Sequence, residues 1–195
     1  NVISNWTDEE RHKLGVLITK TFCFLTFRAS FYQSDFNVGN FVYIKENEKI
    51  KLGLIDFGSY RKLDTKAVDS LLAIILNLST LSEDKILDEL SHAGFENKKL
   101  IYLKNEIRQL ANLIFEPFLT DDIFNFSTFK MSESIEKKLG DKKWWFRSAG
   151  TPEIFYLVRA YAGFIKIMTT LNVSLNIKKI LLETIGNTDE LKNKE

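Results

Sequence analysis

The chain has 195 residues, which is enough for one domain with a hydrophobic core. Its 27 basic and 26 acidic residues nearly cancel, and this balance argues against a nucleic-acid-binding protein, which normally carries a basic stripe. The single cysteine, Cys23, excludes an internal disulfide and is predicted to be a small core residue, because it lies in an apolar run. No stretch is predicted to span a bilayer, since charged residues interrupt the longest apolar runs.

The first predicted element is a long helix that begins after Thr7 and runs toward Ala29. Thr7 and Glu10 have the spacing of a capping box, in which each residue's side chain accepts a hydrogen bond from the other's backbone. The apolar residues that follow them give the helix one broad apolar face. Residues 31–34 then lead into a polar loop.

The polar loop contains the most informative residues of the chain. Asp35 is followed five positions later by Asn40, and Asp56 opens an Asp-Phe-Gly tripeptide with Phe57 and Gly58. A kinase catalytic loop has the same Asp and Asn spacing, and the Asp of a later Asp-Phe-Gly holds the magnesium that bridges the nucleotide phosphates. Magnesium prefers oxygen from carboxylates and amides. We therefore predict Asn40 and Asp56 as magnesium ligands, Asp35 as the catalytic residue that orients the nucleophile or accepts its proton, and Phe57 and Gly58 as cofactor-binding residues.

The segment between the two motifs is predicted to form a β-hairpin. Residues 41–44 and 50–55 are rich in β-branched, aromatic and other apolar residues, and residues 46–48 form a polar turn. Such a hairpin returns Asp56 close to Asn40, so that one metal ion could contact both. The alternative is an ordinary surface hairpin, because Asp, Asn and Gly are also the residues that turns use.

From Arg61 onward the pattern indicates helices. Asp64 or Thr65 is expected to cap the first of them, and Ser82 the second, which ends at Gly94. Further helices are predicted over residues 97–115, stopped by Pro117, over 131–139, from Pro152 to about 168, and over 174–185, with an irregular segment over 118–129. We expect a mainly α fold with a small β-hairpin, one domain over residues 1–186 and a polar tail over 187–195.

A basic and aromatic segment from Lys142 to Arg147 contains Trp144 and Trp145. It could rest on a membrane surface or stack on a ligand. The simpler prediction, which we favour, is that the two tryptophans anchor a loop to the core.

The loop and hairpin motifs resemble the UbiB family of atypical, protein-kinase-like proteins, which is associated with coenzyme Q (ubiquinone) biosynthesis. The pattern in the coenzyme Q branch is approximately Q-T-D-P-N-x-x-N-F, a hairpin, and L-D-F-G-x-x-R. Here residues 33–41 read Q-S-D-F-N-V-G-N-F, and residues 55–61 read I-D-F-G-S-Y-R. Phe36 replaces the proline, which alters a residue that shapes the loop but not a metal ligand.

The resemblance implies a protein-kinase-like C-terminal lobe over nearly the whole chain, with the N-terminal lobe absent. It implies Mg2+ and ATP as cofactors, and an ATPase or small-molecule kinase activity in the intact protein. Before Asp35 the only lysines are Lys13 and Lys20, both on the first predicted helix. A kinase needs a lysine that orients the phosphates. We therefore expect the chain alone to bind nucleotide poorly and to catalyse little. Either the upstream part that carries the lysine was cut away, which the start at Asn1 favours, or the chain is a reduced relative.

The same resemblance implies partners and a location. The partners are the nucleotide, a membrane surface or lipid intermediates, and a quinone-biosynthesis complex, and they do not include a nucleic acid. The location is the matrix side of the mitochondrial inner membrane in a eukaryote, or the cytoplasmic membrane face in a bacterium.

Two other functions are compatible with the sequence. One is a small-molecule kinase of the aminoglycoside or choline kinase type, which shares the Asp and Asn spacing and a later metal-binding Asp. The other is a non-catalytic pseudokinase scaffold or lipid-binding helical module, which the missing nucleotide lobe and the pair of tryptophans suggest.

Overall fold

The structure is a computed structural model that describes residues 6–46 and 49–186. Helical residues make up 68% of it, and small antiparallel sheets complete it, which confirms the mainly α prediction. Residues 47 and 48 of the predicted turn, and the predicted tail over 187–195, lie outside the described residues.

The described residues form helices and short strands in the following order. The helices are α1 (Asp8–Cys23), α2 (Thr65–Asn77), α3 (Glu83–His92), α4 (Asn97–Leu100), α5 (Lys104–Leu119), α6 (Met131–Leu139), α7 (Lys143–Ala149), α8 (Pro152–Leu171) and α9 (Ile177–Gly186). The strands are β1 (Phe31–Gln33), β2 (Phe41–Glu46), β3 (Lys49–Leu54), β4 (Tyr60–Lys62), β5 (Phe124–Asn125) and β6 (Ser174–Leu175). The pairs are β1 with β4, β2 with β3, and β5 with β6. Of these pairs, the sequence predicted only the hairpin of β2 and β3.

The predicted helix starts are confirmed by their caps. The Thr7 hydroxyl accepts a hydrogen bond from the Glu10 backbone at 3.2 Å, and the Glu10 carboxylate accepts one from the Thr7 backbone at 2.8 Å. Asp64 caps α2 and Ser82 caps α3 through their side chains. Beyond α1 the chain continues as a π-helical turn over Phe24–Arg28, so the helical segment ends close to the predicted Ala29.

Two predicted helix boundaries were wrong. Pro117 lies inside α5, which continues to Leu119. A proline this close to the helix end removes a single backbone donor, and the burial of Phe118, which is 1% exposed, outweighs that loss. The last helix, α9, starts at Ile177 and not at Ser174, because Ser174 pairs with Asn125 of β5.

The prediction that the two tryptophans anchor a loop to the core was also wrong. Residues 143–149 form the short helix α7, and Trp144 and Trp145 are 64% and 43% exposed. The residue that anchors this segment is Phe146, whose ring stacks on Phe95 at a centroid distance of 6.1 Å.

The core surrounds α8. Phe164 on this helix is fully buried and stacks on Phe22 of α1 at a centroid distance of 4.6 Å. Cys23 is also fully buried, and burial raises the pKa of its thiol, as expected for an inert core cysteine.

Contrary to the sequence prediction, α8 is long and apolar enough to cross a membrane by length and composition, with a mean hydropathy of 1.3 over an 18-residue window. A helix that is apolar on most of its circumference is also typical of a domain core. Burial of Ala160, Phe164 and Met168, each 0% exposed, places α8 in that role here.

Candidate functional site

Two strand pairings place the polar loop beside the Asp-Phe-Gly segment. Residues 34–40 connect the end of β1 to the start of β2, and residues 55–59 connect the end of β3 to the start of β4. Gln33 pairs with Tyr60, and Phe41 pairs with Leu54, so the two connections run side by side in opposite directions. The backbone N–H of Ile55 also donates to the carbonyl of Asn40 at 3.2 Å.

The buried side chain of Gln33 links the two motifs directly. Its Oε1 accepts a hydrogen bond from the Asp35 backbone N–H at 2.9 Å, and its Nε2 donates to the Asp56 carbonyl at 2.8 Å. Gln33 is only 2% exposed, so both bonds are shielded from water. The backbone N–H and the hydroxyl of Ser34 add a second link, since both donate to the Ser59 carbonyl at 2.9 Å.

Asp35 and Asn40 are in direct contact. The Asn40 Nδ2 donates to the backbone carbonyl of Asp35 at 2.7 Å and to its Oδ2 at 3.2 Å. The amide of Asn37 also donates to Asp35 Oδ2, at 2.7 Å. The Oδ1 of Asn40 receives no hydrogen bond from the described residues, so this oxygen is the atom of Asn40 that could bind a cation.

The Asp56 carboxylate closes its own turn. Its Oδ1 accepts from the Gly58 backbone N–H at 2.9 Å, and its Oδ2 accepts from the Ser59 hydroxyl at 3.2 Å. Phe57 points outward, is 69% exposed and stacks on Tyr60 at a centroid distance of 5.6 Å. Burial, together with the nearby Asp56 charge, raises the pKa of the Tyr60 phenol.

The structure adds an arginine that sequence reasoning missed. Arg159 of α8 donates to Asp35 Oδ1 at 2.7 Å, although the two residues are 124 positions apart in the chain. Tyr156 lies three residues before Arg159 on the same face of α8. The guanidinium of Arg61 lies over its ring, 3.8 Å from the centroid. No local pattern in the sequence signals either contact.

The polar loop rests on α8 through Phe36 and Gly163. Phe36 is 3% exposed and packs edge-on against Phe22 and Phe41, with centroid distances of 5.5 and 4.9 Å. A Cβ at Gly163 would lie 3.0 Å from the Phe36 carbonyl carbon and would overlap with its oxygen. The aromatic core therefore anchors the loop position that the family pattern assigns to a proline.

The donor set suits magnesium better than a softer metal. The described residues contain no group of three or more His, Cys, Asp or Glu side chains that could enclose an ion. The two residues predicted as ligands, Asp56 and Asn40, offer one carboxylate and one amide oxygen, hard oxygen ligands of the kind that Mg2+ accepts when water and phosphate complete its coordination.

Residues 4–90 match the profile of the ABC1 atypical kinase-like domain. This span covers the polar loop, the hairpin and Asp56, and it ends inside α3. The match supports a relationship to the UbiB/ABC1 family broadly, and to an atypical kinase-like protein. It covers less than half of the chain, and so extends less far than the resemblance expected from the sequence. A comparison with curated proteins finds no significant match.

Proposed function

We propose that this chain holds magnesium and the nucleotide phosphates in an atypical kinase or ATPase. The observation that carries the proposal is the buried Gln33 amide, which ties Asp35 to the backbone of Asp56. The match of residues 4–90 to an atypical kinase-like domain supports the same conclusion. A surface hairpin with ordinary turn residues would not need a buried amide that links its two connections.

Each predicted residue has a distinct role in this proposal. Bound magnesium would neutralise charge on the phosphates, and the oxygens of Asn40 and Asp56 would hold it. Asp35, fixed by the amides of Asn37 and Asn40, would orient the nucleophile or accept its proton. Phe57 and Gly58 would border the nucleotide.

The resemblance to the UbiB family carries the wider part of the proposal. The protein would act in isoprenoid quinone (ubiquinone) biosynthesis, on lipid intermediates and within a quinone-biosynthesis complex. Its location would be the mitochondrial inner membrane in a eukaryote, or the cytoplasmic membrane face in a bacterium.

A thermal-shift measurement tests the nucleotide proposal. A ligand that binds only the folded state stabilises it by about 2.7 kcal/mol at one hundred times its Kd, so Mg-ATP should raise the melting temperature. ATP with a chelator and Mg2+ without ATP serve as controls, and each should produce a smaller shift. An unchanged melting temperature at saturating Mg-ATP would contradict the proposal, and phosphorylation of amino sugars or choline would favour the aminoglycoside or choline kinase alternative.

Replacing Arg159 with glutamine should change cation and nucleotide binding in opposite directions. The Arg159 side chain is 65% exposed, so loss of its ion pair with Asp35 should cost at most about 1 kcal/mol of stability. Without the guanidinium, Mn2+ used as a spectroscopic probe should bind about fivefold more tightly, because a competing positive charge is gone. ATP, which is anionic, should bind more weakly.

The matched control for this prediction is Lys66→Gln, which removes a positive charge from an exposed position on α2. It should leave both affinities unchanged. Equal effects of the two substitutions would show that only net charge matters, and would remove Arg159 from the site.

A further inference from the structure

Four apolar or aromatic side chains form an exposed patch on and beside α7. Ile101, Tyr102, Trp144 and Trp145 are 49%, 57%, 64% and 43% exposed. The rings of Tyr102, between α4 and α5, and Trp145 of α7 stack at a centroid distance of 4.4 Å. Exposed apolar side chains that lie next to one another indicate an interaction site, whereas single exposed apolar residues are common and need no explanation. We call these four residues, together with Arg147, the aromatic patch.

The packing of α7 against the protein keeps Trp144 and Trp145 exposed. Ala149 is 0% exposed, and Phe146 stacks on Phe95, so one side of the short helix is held against the protein. The tryptophans occupy the remaining surface. The guanidinium of Arg147 lies 5.6 Å from the Trp144 ring centroid, within reach of a cation–π contact.

Basic residues are concentrated in the part of the sequence that contains the two tryptophans of the aromatic patch. Residues 137–147 contain five basic residues and one acidic residue, whereas the whole chain has a net charge of only +1. Lys142 and Lys143 are paired with Glu106 and Glu136. The other three of the five basic residues, Lys137, Lys138 and Arg147, have no ion-pair partner among residues 6–46 and 49–186.

We propose that the aromatic patch docks on an anionic lipid surface. Tryptophan and tyrosine rings are enriched at the headgroup level of membranes, where an apolar ring with a polar edge is well accommodated. Lysine and arginine beside such rings are attracted to anionic headgroups by about 1 kcal/mol each. Trp, Tyr and Arg are enriched at protein–protein interfaces as well, so the lysines that flank the aromatic patch in the sequence are what favour the lipid surface, because lysine is depleted at protein–protein interfaces. The proposal does not depend on nucleotide binding.

Tryptophan fluorescence can report on this contact alone. The chain has three tryptophans, and the Trp6→Phe variant retains only Trp144 and Trp145. Addition of phosphatidylcholine vesicles that contain phosphatidylserine should shift their emission to the blue and protect them from an aqueous quencher. Vesicles of phosphatidylcholine alone should produce a much smaller change.

Charge substitutions test the role of the unpaired lysines. Lys137→Gln with Lys138→Gln should weaken binding to the anionic vesicles by roughly 30-fold, given about 1 kcal/mol for each lysine. The matched control, Lys62→Gln with Lys66→Gln, removes the same charge from exposed positions elsewhere and should leave binding within about twofold of the parent.

A second pair of variants tests the aromatic contribution. Trp144→Ala should reduce vesicle binding, whereas Ile123→Ala, at a 70% exposed apolar position outside the aromatic patch, should not. Equal losses in the patch and control variants, equal binding to neutral and anionic vesicles, or no vesicle binding at all would each overturn the proposal. Because the substituted side chains are exposed, unchanged melting temperatures should accompany all four variants.

Discussion

Gly163→Ala should destabilise the protein by about 3 kcal/mol, although the same substitution in an exposed helix interior usually stabilises by about 1 kcal/mol. The sign reverses because the polar loop lies against α8 at this position. The new Cβ would sit 3.0 Å from the Phe36 carbonyl carbon and overlap with the oxygen, and backbone atoms cannot move aside as the end of a flexible side chain can. The melting temperature should fall by about 6–12 °C for a domain of this size.

The same substitution should also displace the loop that carries Asp35. Phe36 is its immediate neighbour and is held among the rings of Phe22, Phe41 and Phe164, so the strain can be relieved only by moving the loop or opening the core. We therefore expect nucleotide binding to weaken together with stability. Denaturant unfolding and a thermal shift with Mg-ATP measure the two effects separately.

Gly186→Ala is the matched control for this prediction. Among residues 6–46 and 49–186, a Cβ built at Gly186, at the end of α9, meets no atom within 4 Å. Its free energy of unfolding should differ from that of the parent by less than about 0.5 kcal/mol. If Gly163→Ala were as stable as this control, the close approach of the loop to α8 would be wrong.

The parts of the fold that were predicted correctly depend on local signals. The capping box of Thr7 and Glu10, the caps of α2 and α3, and the β2–β3 hairpin are each encoded within a few neighbouring residues. Such signals act before any tertiary contact exists, so they can be inferred from spacing and residue type alone.

The parts that were missed depend on distant contacts. Strands β1 and β4 have three residues each and no alternating pattern, and they form only because Gln33 and Tyr60 meet in the folded chain. The Arg159 contact with Asp35 joins residues that are 124 positions apart in the sequence. The exposure of Trp144 depends on which neighbour, here Phe146, occupies the core, and composition does not determine that choice.

In the predicted site, too, local signals were found from the sequence and distant contacts were not. Sequence spacing identified Asp35, Asn40 and Asp56, and the hairpin returns the last of these beside the loop, as expected. Gln33 was recognised only as part of a motif, and its buried amide acquires a physical role once both connections are placed. The assignment of Asn40 and Asp56 as magnesium ligands, and of Asp35 as the catalytic residue, stays a prediction.

Asp56→Asn should weaken Mg-ATP binding by about 100-fold or more, because losing even a residue that only hydrogen-bonds to a metal ligand already costs 10–100-fold. The substitution is nearly isosteric. Asn Oδ1 can still accept from the Gly58 backbone N–H, and its amide can donate to the Ser59 hydroxyl in place of the bond that Asp56 now accepts. What disappears is one negative charge that a divalent cation requires.

This design separates binding from folding. In the absence of ligand, the melting temperature of Asp56→Asn should match that of the parent, since the turn keeps its hydrogen bonds. With Mg-ATP, the parent should show a thermal shift and the variant a much smaller one. Asp69→Asn, which removes the same charge from an exposed position on α2, should behave as the parent does.

The position of Asp56 explains why this variant is decisive for the proposed function. Its backbone carbonyl is bound by Gln33 and its carboxylate caps the following turn, so the group is held in place whether or not a metal is bound. Because Asn keeps the turn's hydrogen bonds, a residue that serves only the turn should leave both the ligand-free melting temperature and the response to Mg-ATP unchanged, whereas loss of a metal ligand should remove most of that response. An Asp56→Asn protein that keeps the full thermal shift would show that this residue serves the turn alone, and the magnesium site would have to be sought elsewhere.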